Sequence, residues 1–481
     1  MPRQAFSRRS LLAAGLGSLA AFGTVPLIVG QEPKLPAEPK KDETPKPYSE
    51  TFSSETLFLT YAGDPCTSVT VQWIASDWES RAKELLFAEF TAEYEKARDR
   101  AAKIKAAKAM MPVDPPKDED PKKDEPKKEE PKPKEDPLPN LEWQKATISS
   151  KPFPETDLKV FRVELTGLKA GTEYAFKVGT YSPEFRFRTM PAKATDTFTF
   201  ISGGDCGINE HAVANNRLAA KQDPYFVLIC GDLGYDNGRS ARTAIQFIKN
   251  YAKTMFDSKG RLIPLVVGIG NHEVNGGYST KRKDATFFLP LFDGLFKETT
   301  YGTLDFGQYL SLVILDSGHV CKISGDQTDW LEKQLKDRQD IPHLFAANHV
   351  PAYPSYREPM GKGGKFGTGE EQRKHWCPLF EKYAVDAVLE HHDHTFKRTH
   401  LLLDGLKDDR GVLYLGDGSW GMLRVPKTPE KRPYLAAVGG SYHFTVHKLE
   451  SEIRYHVAME EGGKLIDITS STKKSRSKLK G

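Results

Sequence analysis

The stretch Tyr225-Phe226-Val227-Leu228-Ile229-Cys230-Gly231-Asp232-Leu233-Gly234-Tyr235 decides how this chain is to be read. Its first six residues form an unbroken apolar run that stops at a Gly-Asp pair. A strand with one wet face alternates apolar and polar positions, so an unbroken run of this length is a strand buried on both faces. Comparable runs occur at Phe198-Thr199-Phe200-Ile201, at Leu262-Ile263-Pro264-Leu265-Val266-Val267, and at 309–315, 344–347, 387–389 and 412–415, with helical-looking stretches between them. That order implies an α/β layered domain over 195–460, whose last part, 442–449 and 452–459, reads as antiparallel.

Five polar clusters stand at or just beyond the C-terminal ends of these strands: Gly204-Asp205-Cys206-Gly207, Gly231-Asp232-Leu233-Gly234-Tyr235, Gly270-Asn271-His272-Glu273, Asn348-His349-Val350-Pro351 and His391-His392-Asp393-His394. Ligands bind at that edge of open α/β sheets. Taken singly, each cluster has an ordinary explanation: a Gly-Asp turn with a helix cap, or a hydrogen-bonded core histidine. Together, two aspartates, an Asn-His, a later His and a His-x-His supply the oxygen and nitrogen donors that a two-metal site requires.

Ahead of this domain the pattern changes. Segments 57–60, 69–74, 160–165, 174–178 and 184–189 alternate with period two and are joined by Gly-containing turns, which predicts a β-sandwich over 48–191. A charged, Ala-rich segment at about 81–111 is predicted to be helical, and with the Pro/Lys/Glu-rich 112–139 it forms one insertion at about 80–140. That segment and a second one at 31–47 hold 14 of the 32 prolines. Both are too polar to bury the surface that ordering requires, so 31–47 reads as a disordered spacer.

Composition fits this division. Counted with glycine, the apolar share is about 42%, slightly under the ~45–50% of globular chains, and the two Pro/Lys/Glu segments account for the deficit. The formal charge is +4, from 69 basic and 65 acidic residues, which is too balanced for a nucleic-acid binder. It is also unevenly placed: Arg3, Arg8 and Arg9 at one end, and Lys473, Lys474, Arg476, Lys478 and Lys480 in a basic tail (461–481) at the other, leave the body mildly acidic. Collagen, coiled-coil, polytopic membrane and disulfide-scaffold classes are excluded. Five cysteines are an odd number; Cys206 and Cys230 read as buried small hydrophobes, while pairing among Cys66, Cys321 and Cys377 stays open. Ser7-Arg8-Arg9-Ser10-Leu11-Leu12, followed by an uncharged stretch to Gly30, resembles a Tat export signal over 1–30, with a periplasmic or extracellular destination and no stable membrane insertion.

The five clusters resemble those of the calcineurin-like metallophosphoesterases. Tyr235, three residues after Asp232, makes the resemblance specific to the purple acid phosphatases, which place a phenolate ligand to ferric iron there. Leu168-Lys169-Ala170-Gly171-Thr172-Glu173-Tyr174 is similar to a fibronectin-type-III corner, as in the sandwich domain of plant-type members. The resemblance implies a β-sandwich N-terminal domain plus an α/β four-layer (αββα) metallophosphoesterase domain. It further implies one metal on Asp205, Asp232, Tyr235 and His394, a second on Asp232, Asn271, His349 and His392, and His272 as the catalytic residue beside the phosphate. The cofactors implied are Fe(III) plus a divalent metal (Zn, Fe or Mn). The activity implied is hydrolysis of a small phosphomonoester by metal-bound hydroxide, with no nucleic-acid partner.

The alternatives are a phosphodiesterase for cyclic nucleotides or phospholipids on the same fold, or a surface-binding protein with a decayed site, which would lack ligands. None of the seven is missing. The chain departs from the family pattern at three places. His391 replaces a glycine before His-x-His, Phe396-Lys397-Arg398 replaces Tyr-Glu-Arg, and Tyr353-Pro354-Ser355-Tyr356 leads to Arg357-Glu358 where substrate-facing histidines are usual. Arg357 reads equally as a phosphate ligand or as a solvated loop residue.

Overall fold

The fold is that of a computed structural model, described for residues 55–77, 82–109, 138–180, 182–193, 197–363 and 366–472. The segments 1–30, 31–47 and 473–481 and most of 112–139 lie outside the described residues, and with them the export signal, the spacer and the end of the basic tail.

Two four-stranded antiparallel sheets form the N-terminal part. One runs Phe58–Thr60, Val69–Ala75, Lys159–Leu165, Ser149–Pro152, and the other Gln144–Thr147, Glu84–Glu89, Glu173–Val178, Phe185–Arg188. Their inner faces carry the alternating apolar residues, with Trp73 stacked on Phe161 at 5.4 Å and Tyr174 on Phe187 at 5.5 Å. The Tyr174 hydroxyl accepts the Lys169 N–H at 2.9 Å and ties the corner before its strand.

The helix expected over about 81–111 is corrected at its start. Glu84–Glu89 is a strand and the helix occupies Ala92–Ala109. Leu85 and Phe87 point into the sandwich and pair with Val178 and Phe176, and this cross-strand burial outweighs the local helix preference of a charged, Ala-rich segment. The helix itself has no apolar stripe to bury.

Two sheets packed face to face form the α/β body. The first has the order Leu265–Gly268, Val227–Cys230, Phe198–Gly203, His443–Glu450, Ile453–Glu460, Leu465–Thr472; the second Gly302–Phe306, Leu310–Leu315, His343–Asn348, Ala387–Glu390, Leu413–Asp417, Phe396–Thr399, Leu435–Gly439. Phe200 of the first sheet meets Phe345 of the second edge-on at 5.6 Å. Helices Glu210–Ala220 and Ala241–Thr254 cover the outer face of the first sheet, burying Ala219, Phe247 and Ile248. Asp326–Asp337 and Cys377–Lys382 cover the second with Leu331, Leu335 and Phe380. This is the four-layer αββα arrangement.

The body does not stop at 460, where the sequence placed the start of a basic tail. Leu465–Thr472 adds an antiparallel edge strand, and its Asp467 takes a two-pronged pair from Arg398 of the other sheet at 2.7 and 3.0 Å. Alternating polar residues on a strand exposed along one edge leave little apolar signal to read. All five cysteines are free thiols, with Cys206 and Cys230 buried as expected. Among the described residues no helix is long and apolar enough to cross a membrane.

The sandwich is joined to the body through Gln72. Its buried amide donates to Thr60 Oγ1 at 2.8 Å and to the Leu291 carbonyl at 3.0 Å, and its Oε1 accepts from Arg162 Nε at 2.9 Å. Phe58 packs on Phe292 beside it. Gln72→Ala strands the Leu291 carbonyl without a donor, and denaturant unfolding should show a loss of about 1–3 kcal/mol; an unchanged midpoint and slope would mean that this amide does not hold the junction.

Candidate metal centre

The strands Phe198–Gly203, Val227–Cys230 and Leu265–Gly268 run parallel in one sheet, and His343–Asn348 and Ala387–Glu390 run parallel in the other. Their C-terminal ends open onto one rim, and all eight residues singled out from the sequence lie there. A single ligand atom from each of Asp205, Asp232, His349 and His392 falls within 4.8 Å of every other.

Two groups of donors share this rim. In the first, the Tyr235 hydroxyl lies 3.1 Å from Asp205 Oδ1 and 3.2 Å from His394 Nε2, and His394 Nε2 lies 3.0 Å from Asp205 Oδ1. In the second, His349 Nε2 is 3.2 Å from Asn271 Oδ1, 3.2 Å from Asp232 Oδ2 and 3.1 Å from His392 Nδ1. A carboxylate oxygen of Asp232 lies within 4.8 Å of Asp205 in the first group, and Oδ2 lies 3.2 Å from His349 in the second. His272 stands beside that carboxylate, its backbone N–H donating to Asp232 Oδ1 at 3.0 Å and its imidazole Nε2 3.9 Å from Asp232 Oδ2.

The donor chemistry fits cations. His349 Nδ1 faces the Cys230 carbonyl at 3.0 Å, which fixes the ring and turns Nε2 towards the rim. Nε2 faces two oxygens, Asn271 Oδ1 and Asp232 Oδ2. Without a cation, a proton on His349 links Nε2 to buried Asp232 Oδ2, and against the opposing effect of burial the charges of Asp232 and Asp205 push that imidazole up to about 9. That single proton leaves the other oxygens and imidazole nitrogens of the rim facing one another, an arrangement that a cation relieves.

Electrostatics point the same way. Burial opposes ionisation of both carboxyls, yet His349, with His272 and His392, holds Asp232 well below the usual carboxylate range. His394 and His349 do the same for Asp205. Burial and the charges of Asp205 and Asp232 push the Tyr235 phenol well above its ordinary value, so without a cation it stays protonated.

The backbone is bent to achieve this convergence. Asp205, Asp232, His392 and His394 all sit in the left-handed region, with φ of 55°, 55°, 73° and 59°. Such conformations cost about 1–3 kcal/mol each and persist where the surroundings over-determine them. Two glycines clear the space. A Cβ on Gly231 (φ +91°) would lie 2.5 Å from His349 Nδ1, and one on Gly270 would lie 2.4 Å from Asp232 Oδ1. His391, in place of the family's glycine, keeps an ordinary backbone, and its imidazole lies over Gly204, where a Cβ would come within 2.6 Å of the ring.

Glu273, quoted in its cluster but given no role from sequence, is the buried support. Its carboxylate accepts the N–H groups of Asp232 at 2.7 Å, Leu233 at 2.7 Å and Gly270 at 2.8 Å, fixing two of the bent loops at once. Burial, then the Asp232 charge, pushes its carboxyl up to about 8, against these donors. Arg357 proves not to be a free loop side chain: its Nη1 donates to the His392 carbonyl and, at 2.9 Å, to Asp393 Oδ1. Tyr278, unmarked in the sequence, places its hydroxyl 3.1 Å from His392 Nε2. No local pattern distinguishes Tyr278, because its contact is made across 114 residues.

Residues 196–396 match the family model of calcineurin-like phosphoesterases. Purple acid phosphatase 21 of Arabidopsis thaliana is 28% identical over 276 residues, covering 54% of this chain and 58% of that protein. The Fe(3+)-Zn(2+) purple acid phosphatase 12 of the same plant is 23% identical over 309 residues, covering 55% and 61%. The chain thus spans about three fifths of the length of these relatives. Among solved structures, the purple acid phosphatase PPD1 from yellow lupin (Lupinus luteus) seeds superposes with a TM-score of 0.64 at 16% identity, over 88% of this chain and 75% of that one, which establishes a shared fold.

Glu273→Gln would turn amide hydrogens towards backbone N–H donors. A stability loss of about 1–3 kcal/mol in urea unfolding is expected, together with weaker zinc binding by calorimetry. Unchanged zinc affinity would show that Glu273 does not set the position of Asp232.

Proposed function

We propose that this chain, which carries a calcineurin-like metallophosphoesterase domain, is a phosphatase of purple acid type that hydrolyses small phosphomonoesters at a pair of metal ions on the rim. The observation that carries this reading is the shared position of Asp232 between two donor groups, one of which includes the Tyr235 phenol. In the proposed ligation, Asp205, Asp232, Tyr235 and His394 hold Fe(III), and Asp232, Asn271, His349 and His392 hold a divalent ion (Zn, Fe or Mn). Carboxylates and a phenolate suit a hard trivalent ion, imidazoles and an amide oxygen a divalent one. A relative named for its Fe(3+)-Zn(2+) pair supports that division. Bound together, the two cations neutralise charge on the phosphoryl group and acidify water.

The residues of the chain do the rest. Asp232 would be shared by the two ions, its Oδ2 lying 3.2 Å from His349 Nε2 and its Oδ1 oriented by the His272 backbone N–H at 3.0 Å. His272 is partly open to solvent beside Asp232. Its side chain is 24% exposed, and its Nδ1 makes no hydrogen bond among the described residues. It is placed to orient the ester and to deliver a proton to the leaving oxygen as the P–O bond to that oxygen breaks and water adds in line.

The twin arginines at 8–9 support export by a Tat-type route to a periplasmic or extracellular location. The corner at Tyr174 and the two four-stranded sheets support a fibronectin-type-III relationship for the sandwich.

The purified enzyme should show a visible phenolate-to-iron charge-transfer band that disappears in Tyr235→Phe. A colourless protein with full metal content and activity would refute the ferric assignment and leave the metallophosphoesterase reading standing. Asp232→Ala should lose both metals, by elemental analysis, and monoester hydrolysis; retained activity would refute the bridging role. Paired mono- and diester substrates separate this reading from a phosphodiesterase.

A further inference from the structure

Two side chains at the mouth, Tyr278 and Arg357, are not used by the chemistry above, and both are anchored to His392. Tyr278 reaches it from a loop started by Gly276 and Gly277, whose φ angles are +112° and +78°. The loop is fastened to the segment after Leu310–Leu315: Ser279 N–H donates to the Gly318 carbonyl and Thr280 N–H to the His319 carbonyl, both at 2.9 Å. His319 Nδ1 lies 2.9 Å from the Gly277 carbonyl, and the Tyr278 ring packs on the His319 ring at 4.9 Å. A tyrosine that is 46% exposed is thus held in one place by a built support.

The protons at this end can be assigned. With Nδ1, 3.1 Å from His349 Nε2, given to the ion in the proposed ligation, the His392 proton would sit on Nε2 and be donated to the Tyr278 oxygen 3.1 Å away. The phenol proton is then left to donate outwards.

Arg357 is tied to the backbone of the same histidine. Only its Nη1 is engaged, by the His392 carbonyl and Asp393 Oδ1. Nε and Nη2 donate to nothing among the described residues, and the side chain is 23% exposed. A guanidinium anchored by one nitrogen presents the others in a fixed fork, the geometry that suits a phosphate oxyanion.

We propose that the Tyr278 hydroxyl and the unengaged N–H groups of Arg357 form an oxyanion-binding wall on the His392 side of the mouth, gripping oxygens of the phosphate group in the substrate ester and in the orthophosphate product. The inference rests on the phosphatase reading, and it assigns Arg357 a double duty: Nη1 holds the His-Asp-His loop while the outer edge binds substrate. Both residues act by binding and orienting, with no bond made or broken on them.

The test is calorimetric titration of orthophosphate into the metal-loaded full chain, with metal content measured in parallel, for wild type, Tyr278→Phe, Arg357→Gln and Arg357→Lys. The expected result is full metal content throughout, phosphate binding weakened about tenfold in Tyr278→Phe and in Arg357→Gln, and partial recovery in Arg357→Lys, which keeps the charge and loses the fork. In kinetics the loss should fall mainly on KM. Unchanged phosphate affinity at full metal content overturns the proposal. If Arg357→Gln sheds metal, its role is confined to holding the loop, and unchanged phosphate affinity in Tyr278→Phe then overturns the wall as a whole. A wild type that binds phosphate through these residues yet hydrolyses no ester would refute the phosphatase reading alone.

Discussion

Two carboxylates that are almost completely buried, Asp205 and Asp232, are crowded onto one rim, and the rest of the structure answers to that crowding. Burial disfavours their charged forms, and each raises the cost of charging the other. They are nevertheless held ionised, because His349, His392, His394 and His272 surround them. With an amide oxygen also turned inward, the pocket gathers more oxygen and nitrogen ligand atoms than its own protons can pair. Cations are the physical complement to that excess.

Holding acceptors against acceptors requires a rigid frame, and the frame is layered. Five parallel strand ends set the positions, four left-handed residues turn the loops inwards, and glycines at 231 and 270 remove the atoms that would collide. Glu273 then gathers three backbone N–H groups from two of the loops. Behind the His-Asp-His loop, buried Lys397 pairs with buried Glu390 at 2.8 Å, while Glu390 also accepts the Ala352 N–H at 2.6 Å. The lysine that stands in place of the family's glutamate at 397 is thus paired internally, with a carboxylate two strands away across Gly416 of the strand between.

The sandwich also supports the frame. Gln72 grips the carbonyl of Leu291, and Phe58 and Phe153 pack on Phe292 and Phe287 of the same short segment. Phe287, Phe288 and Phe292 line, with His272 and Glu273, a cavity of about 40 Å³ directly behind the rim. The connection between the two parts of the chain thus ends one layer of side chains from the proposed catalytic histidine.

The sequence by itself determined the α/β body, the alternating strands of the sandwich and the eight polar residues at the rim. These are carried by local signals: unbroken apolar runs that end in Gly-Asp or Asn-His, and period-two alternation. It did not determine the strand at 84–89, whose apolar residues acquire meaning only opposite Val178 and Phe176. Nor did it determine the strand at 465–472, an edge whose pairing and whose Arg398–Asp467 contact come from elements far away in the chain. Glu273, Tyr278 and the split role of Arg357 belong to the same class. Each is an ordinary residue type in an ordinary loop, and its partner lies tens to more than a hundred residues away. Local composition records what a segment can bury and how it can turn. Which acceptors meet at 3 Å is settled only when separate strands are brought to one edge, and that edge is where this chain places its chemistry.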